Sequence, residues 1–275
     1  MNSNTSASSQ RPVEAERFDG ASLHSVDETL VVEAALQIDI NGEAFTTTMR
    51  TPGHDEALAR GLLFTERIVP NPGAVLTFET TPDPESRHAA RMNVALDPGE
   101  IAKPFQDRRS LAATASCGVC GARELRDIEI YADAPRLDTT ARLSGTQIAA
   151  MFDAMRERQT LFDATGGCHA AATFTPKGEL LGCHEDIGRH NAVDKSIGAL
   201  LAQRKLEDAA CLTVSGRVSY EIVYKAFHSG LPFLLAVSAA SSLAVETADR
   251  VGITLVAFCR DARATVYTHG DRLDS

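Results

Sequence analysis

Two cysteines flanked by glycines form a sequence in which a reactive thiol could approach a large partner. The run SCGVCG at residues 116–121 contains Cys117 and Cys120. Glycine allows backbone conformations and close approaches that other residues resist. The thiolate is the reactive form of cysteine, and nearby cations lower the pKa of a thiol. We therefore predict that Cys117 is a working thiol, and sulfur carriage is the chemistry that suits it best.

A structural zinc site is the alternative explanation of the same cysteines. A Cys-x-x-Cys pair is half of a common tetrahedral zinc site. No second pair of this kind follows in the chain, but Cys168-His169 and Cys183-His184 could supply further ligands. The spacing of the residues leaves both interpretations open.

A second segment, residues 183–195, concentrates ionisable side chains beside an apolar hairpin. Within it, His184, Arg189 and His190 could bind an anion or move protons. The alternative is a helix N-terminus whose acidic first turn opposes the helix dipole. That alternative leaves Arg189, His190 and Lys195 unexplained, so we favour an anion-binding role for the segment.

Three apolar runs in the C-terminal third each end in a small or basic loop. The loops contain Ser215 and Arg217, then residues 238–242, then residues 259–263. In open α/β sheets, ligands bind at the carboxyl ends of the strands. Helix N-termini suit phosphate, and arginine adds bidentate recognition of the same group. Three such loops together predict a wide anionic ligand that carries more than one phosphate.

The elements that position these residues follow from hydrophobic patterning. Residues 36–40 alternate apolar and polar positions, and Asn41-Gly42 then predicts a hairpin turn in a β-rich N-terminal third. A helix is expected near Asp55, and another after the candidate N-cap Ser144. Further along, near-continuous apolar strands alternate with helices, which predicts a parallel sheet covered on both faces. We therefore expect a three-layer α/β unit in the C-terminal half.

Composition narrows the class of protein. The chain has 275 residues and a formal net charge of -10, and that sign argues against general nucleic-acid binding. No apolar run approaches the roughly 20 residues that span a bilayer. The polar first residues carry no secretory signal and predict a disordered tail, so we expect a cytosolic protein without membrane association. In that compartment the six cysteines are not expected to form a disulfide framework.

The motifs together resemble the FdhD family, the formate dehydrogenase accessory sulfurtransferases. The resemblance runs in order from about Leu30 to His269. The matching stretches are MRTPG at 49–53, SCGVCG at 116–121, GCHAAA at 167–172, HEDIGRH at 184–190, DK at 194–195, SGR at 215–217, YE at 220–221, KA at 225–226, SAASSLAV at 238–245, TLVAFC at 254–259 and VYTH at 266–269.

The resemblance implies a cytidine-deaminase-like fold, of α/β (α+β) class, that lacks deaminase chemistry. A zinc deaminase needs His-x-Glu and Pro-Cys-x-x-Cys, whereas Thr114-Ala115-Ser116 precede the cysteine pair here. The expected organisation is a disordered tail over 1–20, a β-rich N-terminal subdomain over 21–110, a flexible CxxC loop over 111–140 and the three-layer domain over 141–275.

The resemblance also implies a reaction. Family members take persulfide sulfur from a cysteine desulfurase and pass it to the molybdenum bis(molybdopterin guanine dinucleotide) cofactor, a bound substrate, before it enters formate dehydrogenase. Carried over, Cys117 is the persulfide carrier and Cys120 the second thiol or relay, and the protein is a homodimer. The residues expected to bind the cofactor are Phe258, Cys259, Arg260, Asp261, Ala262 and Arg263 of the family's segment, with Ser215, Arg217, His184, Arg189 and His190 from the loops above.

A protein of another class remains the main competing hypothesis. A chaperone could bind and shield the molybdenum cofactor without carrying sulfur. Such a protein would need the anion-binding loops but not Cys117 and Cys120. A zinc-stabilised module is the third possibility, and metal content would distinguish it.

Overall fold

The computed structural model of the chain describes residues 8–84, 88–102, 136–260 and 263–274. The two predicted catalytic cysteines, Cys117 and Cys120, lie outside the described residues. So do Asp261 and Ala262 of the predicted substrate-binding segment. The predictions made for these four residues stay predictions.

The described residues form six α-helices and fourteen strands. The helices are α1 (Asp55–Thr65), α2 (Gly145–Arg156), α3 (Thr160–Thr165), α4 (Arg189–Gln203), α5 (Tyr220–His228) and α6 (Ser242–Val251). The strands are β1 (Gln10–Phe18), β2 (Leu23–Val31), β3 (Ala34–Ile40), β4 (Glu43–Arg50), β5 (Thr77–Pro82), β6 (Ala90–Ala95), β7 (Leu143–Ser144), β8 (His169–Phe174), β9 (Leu180–Asp186), β10 (Cys211–Val214), β11 (Phe233–Ala236), β12 (Thr254–Arg260), β13 (Arg263–Val266) and β14 (Leu273–Asp274). None of these described helices has the length and apolar character needed to cross a membrane.

A six-stranded sheet in the order β13-β12-β11-β10-β8-β9 organises the C-terminal half. Strands β10, β11 and β12 are parallel, whereas β8 runs antiparallel to β10 and β13 antiparallel to β12. Apolar side chains of α2 pack on one face, and those of α4, α5 and α6 pack on the other. The mixed α/β class is confirmed, and the sheet is mixed because hairpins add strands to both edges of the parallel core. The cytidine-deaminase-like description stays a prediction.

A second sheet, in the order β4-β3-β6-β5, lies in the N-terminal part. Its first hairpin turns at Asn41 and Gly42, whose φ angles of 49° and 83° are those that a type I′ turn requires. Helix α1 packs its buried Leu58 and Leu63 against Ile38 and other apolar residues of this sheet.

Residues 10–18, placed in a disordered tail by the sequence analysis, form strand β1 and pair with β2. The reason is local turn chemistry. Gly20 takes the left-handed conformation with φ 97°, and Asp19 Oδ1 accepts hydrogen bonds from the amides of Ala21 and Ser22, each at 2.9 Å. The tail prediction is therefore wrong for these residues, while residues 1–7 lie outside the described part of the chain.

Helices α1 and α4 cross at very close range and join the two sheets. A Cβ placed on Gly61 of α1 would lie 1.9 Å from the carbonyl oxygen of Asp194. A Cβ on Gly198 of α4 would lie 1.9 Å from the carbonyl oxygen of Ala57. Only glycine fits at these two positions, so the backbone contact fixes how the N-terminal sheet meets the C-terminal layers.

Candidate functional site

A large cavity opens between α2 and the edge of the sheet where β10, β11 and β12 end. Its volume is about 1040 Å³. Helix α2 lines it with the apolar Ile148 and Phe152 and with the charged Asp153 and Arg156, and the strand ends add Arg260 and Arg263. A neighbouring cavity of about 930 Å³ shares Arg260 and Arg263. The arrangement offers a ligand apolar side chains of α2 together with arginine side chains from α2 and from the strand ends.

Five of the residues predicted to bind the cofactor line these cavities. They are Ser215, Phe258, Cys259, Arg260 and Arg263. They come from different strand ends, which meet because β10 and β12 run parallel in one sheet. The structure thus brings together the carboxyl ends of β10 and β12, and Ser238 after β11 joins them. Their role in binding a particular ligand stays a prediction.

Phe258 has an unusual backbone conformation at the cavity. Its φ of 55° lies in the left-handed region, which costs a bulky residue on the order of 1–3 kcal/mol. The pairing of β12 with β13 is irregular between Ala257 and Arg260, and this bulge turns Phe258 outward. The side chain is 48% exposed, which is high for phenylalanine. Strain of this kind is typical of functional sites, and here it presents an aromatic face beside the two arginines.

A basic corner lies where β10 and β8 meet the first turn of α4. His169 lines the larger cavity. Gly216 packs beneath it, since a Cβ there would lie 3.3 Å from His169 Nδ1 and 3.5 Å from Arg189 Cβ. Burial lowers the pKa of His169, and the charges of Arg189 and Arg217 lower it further. The imidazole at this wall is therefore neutral at pH 7.

His190 and Arg217 belong to the same corner but are absent from the cavity wall. His190 Nε2 lies 3.0 Å from Glu221 Oε2 and 3.3 Å from Ser219 Oγ, at the start of α5. Arg217 is exposed on the loop after β10. Arg217 therefore contributes positive charge next to the cavity rather than a surface within it, and His190 is held by Glu221 and Ser219.

His184, like Arg189, His190 and Arg217, is a predicted ligand-binding residue that does not line the cavities. Side chains alternate along β9, so that Cys183 faces α2 while His184 faces α4. His184 Nδ1 lies 3.3 Å from Ser196 Oγ, and its ring packs edge-on against His54 at a centroid distance of 4.8 Å. Burial lowers the pKa of His184 to about 4. The motif around it is split between the two faces of the sheet.

The described cysteines are poor nucleophiles. Cys168 donates a hydrogen bond to Glu185 Oε1 at 3.3 Å, and burial together with that carboxylate raises the pKa of its thiol. Burial raises the pKa of Cys183 to about 12 and that of Cys259 to about 11. Thiols that stay protonated at pH 7 carry sulfur badly. Cys168 and Cys259 thus form cavity wall, and reactive thiols have to be sought elsewhere in the chain.

The geometry also bears on the zinc alternative. Because Cys183 and His184 face opposite sides of the sheet, they cannot both bind one ion together with Cys168 and His169. Within the ranges that the structure covers, no group of three or more His, Cys, Asp or Glu side chains is placed to hold a metal.

Two parts of the cavity were not predicted from the sequence: the position of His169, named there only as a possible zinc ligand, and the contribution of α2. His169 begins β8, and a strand antiparallel to β10 begins at the edge where β10 ends. That relation could be found only once the pairing of the hairpin strand with β10 was known. The wall residues of α2, such as Ile148 and Phe152, have the ordinary apolar pattern of a core helix.

Comparison with known proteins identifies the family. The sequence profile described as the FdhD/NarQ family matches residues 31–274. The chain belongs to the FdhD/NarQ family. Its match extends across both sheets and the cavity.

Named FdhD proteins are similar over nearly the whole chain. A protein from Mycobacterium tuberculosis named sulfur carrier protein FdhD is 43% identical over 254 residues, which cover 90% of this chain and 92% of that protein. A protein of the same name from Sulfolobus acidocaldarius is 39% identical over 251 residues, covering 91% and 93%. Among solved structures, a proposed formate dehydrogenase accessory protein from Desulfotalea psychrophila has the same fold. Its TM-score is 0.73 at 22% identity, with 96% of this chain and 99% of that chain covered.

Proposed function

We propose that this protein is a sulfur carrier that delivers sulfur to a molybdenum cofactor during the maturation of formate dehydrogenase. The observation that carries the proposal is 43% identity over 90% of the chain to a protein named as a sulfur carrier. The SCGVCG run supplies the thiols that such a role needs. The described cysteines are buried or partly buried and have raised pKa values, which favours Cys117 and Cys120 as the carriers.

The intake step is a thiol–persulfide exchange. The Cys117 thiolate attacks the outer sulfur of a persulfide on a cysteine desulfurase. The bond between the two sulfurs of the desulfurase breaks, its cysteine leaves as a thiolate, and Cys117 becomes the persulfide. A single sulfur atom changes carrier, so the step needs no external oxidant or reductant.

The delivery step uses the second thiol. The Cys120 thiolate attacks the inner sulfur of the Cys117 persulfide, forms a Cys117–Cys120 disulfide and expels the outer sulfur as hydrosulfide. The two thiols supply the two electrons that reduce that sulfur, and hydrosulfide is the form that molybdenum takes as a ligand. A dithiol reductant has to reopen the disulfide before the next cycle.

The cavities at the carboxyl edge of the sheet suit a substrate such as molybdenum bis(molybdopterin guanine dinucleotide). This substrate combines flat ring systems with phosphate groups. Arg260 and Arg263 line both cavities, and arginine can bind phosphate in a bidentate manner. Phe258 and Phe152 offer aromatic surfaces for the rings. A volume of about 1040 Å³ exceeds what a small anion would need.

The proposed partners follow from the two steps. A cysteine desulfurase donates the sulfur, and formate dehydrogenase receives the modified cofactor. We further propose that the protein acts in the cytosol as a homodimer.

The replacement of both carrier thiols distinguishes sulfur transfer from simple cofactor chaperoning. In cells that depend on this protein, Cys117→Ala/Cys120→Ala should abolish formate-dependent dye reduction while the protein accumulates normally. Cys211→Ala removes a thiol that is fully buried in β10 and serves as the matched control. Active formate dehydrogenase in the double variant would refute sulfur transfer and favour the chaperone.

A further inference from the structure

A buried ion pair lies directly beneath the loop that leads into α4. Lys195 Nζ is 2.7 Å from Asp186 Oδ2, with side-chain exposures of 1% and 0%. A pair taken so completely out of water gains little from its mutual attraction, because desolvation opposes the Coulomb energy. Its presence is therefore better explained by what the pair holds in place.

Asp186 fixes the loop through its remaining acceptor sites. Its Oδ1 accepts hydrogen bonds from the Gly188 amide at 2.8 Å and from Asn191 Nδ2 at 3.1 Å. Gly188 is the N-cap residue of α4 and has no side chain with which to cap the helix. The Asp186 carboxylate thus holds the first turn of α4 from below.

Thr51, which directly follows β4, contacts both members of the ion pair from the other side. Lys195 Nζ donates to the carbonyl oxygen of Thr51 at 2.8 Å, and the Thr51 amide donates to Asp186 Oδ2 at 3.1 Å. The Ile187 amide donates to Thr51 Oγ1 at 3.1 Å. We call Thr51, Asp186, Asn191 and Lys195 the Asp186 clasp. It joins the N-terminal sheet to the loop before α4.

The consequence of the clasp appears at the cavity. Arg189 is the first residue of α4, and its Cβ and Cδ each lie 3.5 Å from the position that a Cβ on Gly216 would take. Asp186 also pairs in register with His169, which lines the cavity. A shift of the loop would therefore move Arg189 and His169 away from the end of β10.

We propose that the Asp186 clasp is a positioning element that holds Arg189 and His169 at the β10 side of the cavity and thereby sets its affinity for phosphate-bearing ligands. The clasp residues act through Arg189 and His169 and do not touch the ligand. The proposal rests on the proposed function only in taking a guanine nucleotide as the ligand class.

Helix α4 carries a matched control for this idea. Its second buried ion pair joins Asp194 Oδ1 to Lys225 Nζ at 2.9 Å, with exposures of 1% and 4%. Asp194 Oδ1 also accepts from Thr65 Oγ1 at 2.8 Å, so this pair ties α4 to α1 and α5. It makes the same kind of contribution to stability without holding the loop before α4.

The test compares two neutralised pairs in the full-length protein. Asp186→Asn/Lys195→Met and Asp194→Asn/Lys225→Met each remove both charges of a fully buried pair. Glu66, which also lies 3.3 Å from Lys225 Nζ, keeps its charge in the second variant but is 32% exposed. Binding of guanosine diphosphate is measured by titration calorimetry, and melting temperature is measured in parallel. We expect both variants to melt earlier. Only the Asp186 variant should bind more weakly, by about tenfold, as expected for one lost charge-assisted contact.

Equal affinities of the two variants for guanosine diphosphate would overturn the positioning role, whatever their melting temperatures. If the Asp186 variant does not fold, Asn191→Ala is the substitute, because it leaves the ion pair in place and removes only the hydrogen bonds of Asn191 to Asp186, to the Met49 carbonyl and from Thr48 Oγ1. An affinity of Asn191→Ala equal to that of the unaltered protein would then overturn the role. Failure of the unaltered protein to bind the nucleotide would instead refute the nucleotide substrate, and the clasp proposal with it.

Discussion

Arg260 and Arg263 are partners in the pairing of β12 with β13 and supply the cations that both cavities share. The guanidinium of arginine keeps its charge at all working pH values and matches the geometry of phosphate. The positive character common to both cavities therefore depends on these two side chains more than on any neighbouring histidine.

Replacement of both arginines should weaken nucleotide binding strongly. Arg260→Gln/Arg263→Gln is expected to raise the dissociation constant for guanosine diphosphate by at least about tenfold, since charged hydrogen bonds to phosphate are each worth about 1.5–3 kcal/mol. Calorimetric titration at low and high salt measures the effect. Arg250→Gln, on the exposed face of α6, is the control and should change nothing. Unaltered affinity in the double variant would place the phosphate site elsewhere.

The buried His184 should make stability depend on pH below neutrality. Its pKa falls to about 4 in the folded protein from an ordinary value of 6.5, chiefly through burial. The unfolded chain therefore binds more protons than the folded chain between these values. The stability that depends on a neutral His184 is fully present above pH 6.5 and is lost as the pH falls toward 4.

The measurement is urea unfolding at pH 7 and pH 4.5. From pH 7 to pH 4.5 the unfolding free energy of His184→Gln should fall by less than that of the unaltered protein, with a difference of about 2 kcal/mol. His24→Gln, on the exposed β1–β2 hairpin, is the control and should behave like the unaltered protein. An equal loss in the His184 variant would show that other groups cause the acid sensitivity.

Among the elements, the crossing of α1 and α4 has the least tolerance for change. Gly61→Ala would place a methyl group 1.9 Å from a backbone carbonyl oxygen, which neither helix can avoid without shifting. We expect a loss of at least about 1–3 kcal/mol in unfolding free energy. Gly145→Ala begins α2 with no atom within 4 Å of the added carbon and should not destabilise the protein. Equal melting temperatures for the two variants would show that the helices can separate at no cost.

Helices and strands could be predicted from the sequence where local turn or capping signals determine them. The Asn41-Gly42 hairpin and the helix after Ser144 follow from turn and capping chemistry, and the structure has both, including hydrogen bonds in each direction between Ser144 and Gln147. The β1 strand was missed because its pairing depends on a turn at Asp19-Gly20 that lies among polar residues. Long-range pairing also escaped prediction, as with β8 beside β10.

Across the whole molecule, the clustering of the strand ends could be predicted from the sequence. The partners in the buried polar contacts could not. Parallel strands place their carboxyl ends together, so Ser215, Arg260 and Arg263 meet as expected. By contrast, the side of the sheet on which His184 lies depends on the register of β9. The hydrogen bond from the Thr51 amide to the Asp186 carboxylate joins residues that are far apart in sequence, so no local pattern predicts it.

The molecule as described joins two sheets through α1, α4 and the Asp186 clasp and has two adjoining cavities with shared arginines at the edge of the larger sheet. We propose that these cavities bind the substrate and that Cys117 and Cys120 carry the sulfur. Sulfur acceptance by these thiols can be tested without any molybdenum cofactor.

The most direct test is mass spectrometry of the purified protein after incubation with a cysteine desulfurase and cysteine. After thiol alkylation and digestion, the peptide with residues 116–121 should gain the mass of one sulfur atom. The gain should map to Cys117, disappear in Cys117→Ala and be absent when the desulfurase is omitted. A peptide that gains no sulfur on Cys117 or Cys120, under conditions in which the desulfurase is active, would contradict the account.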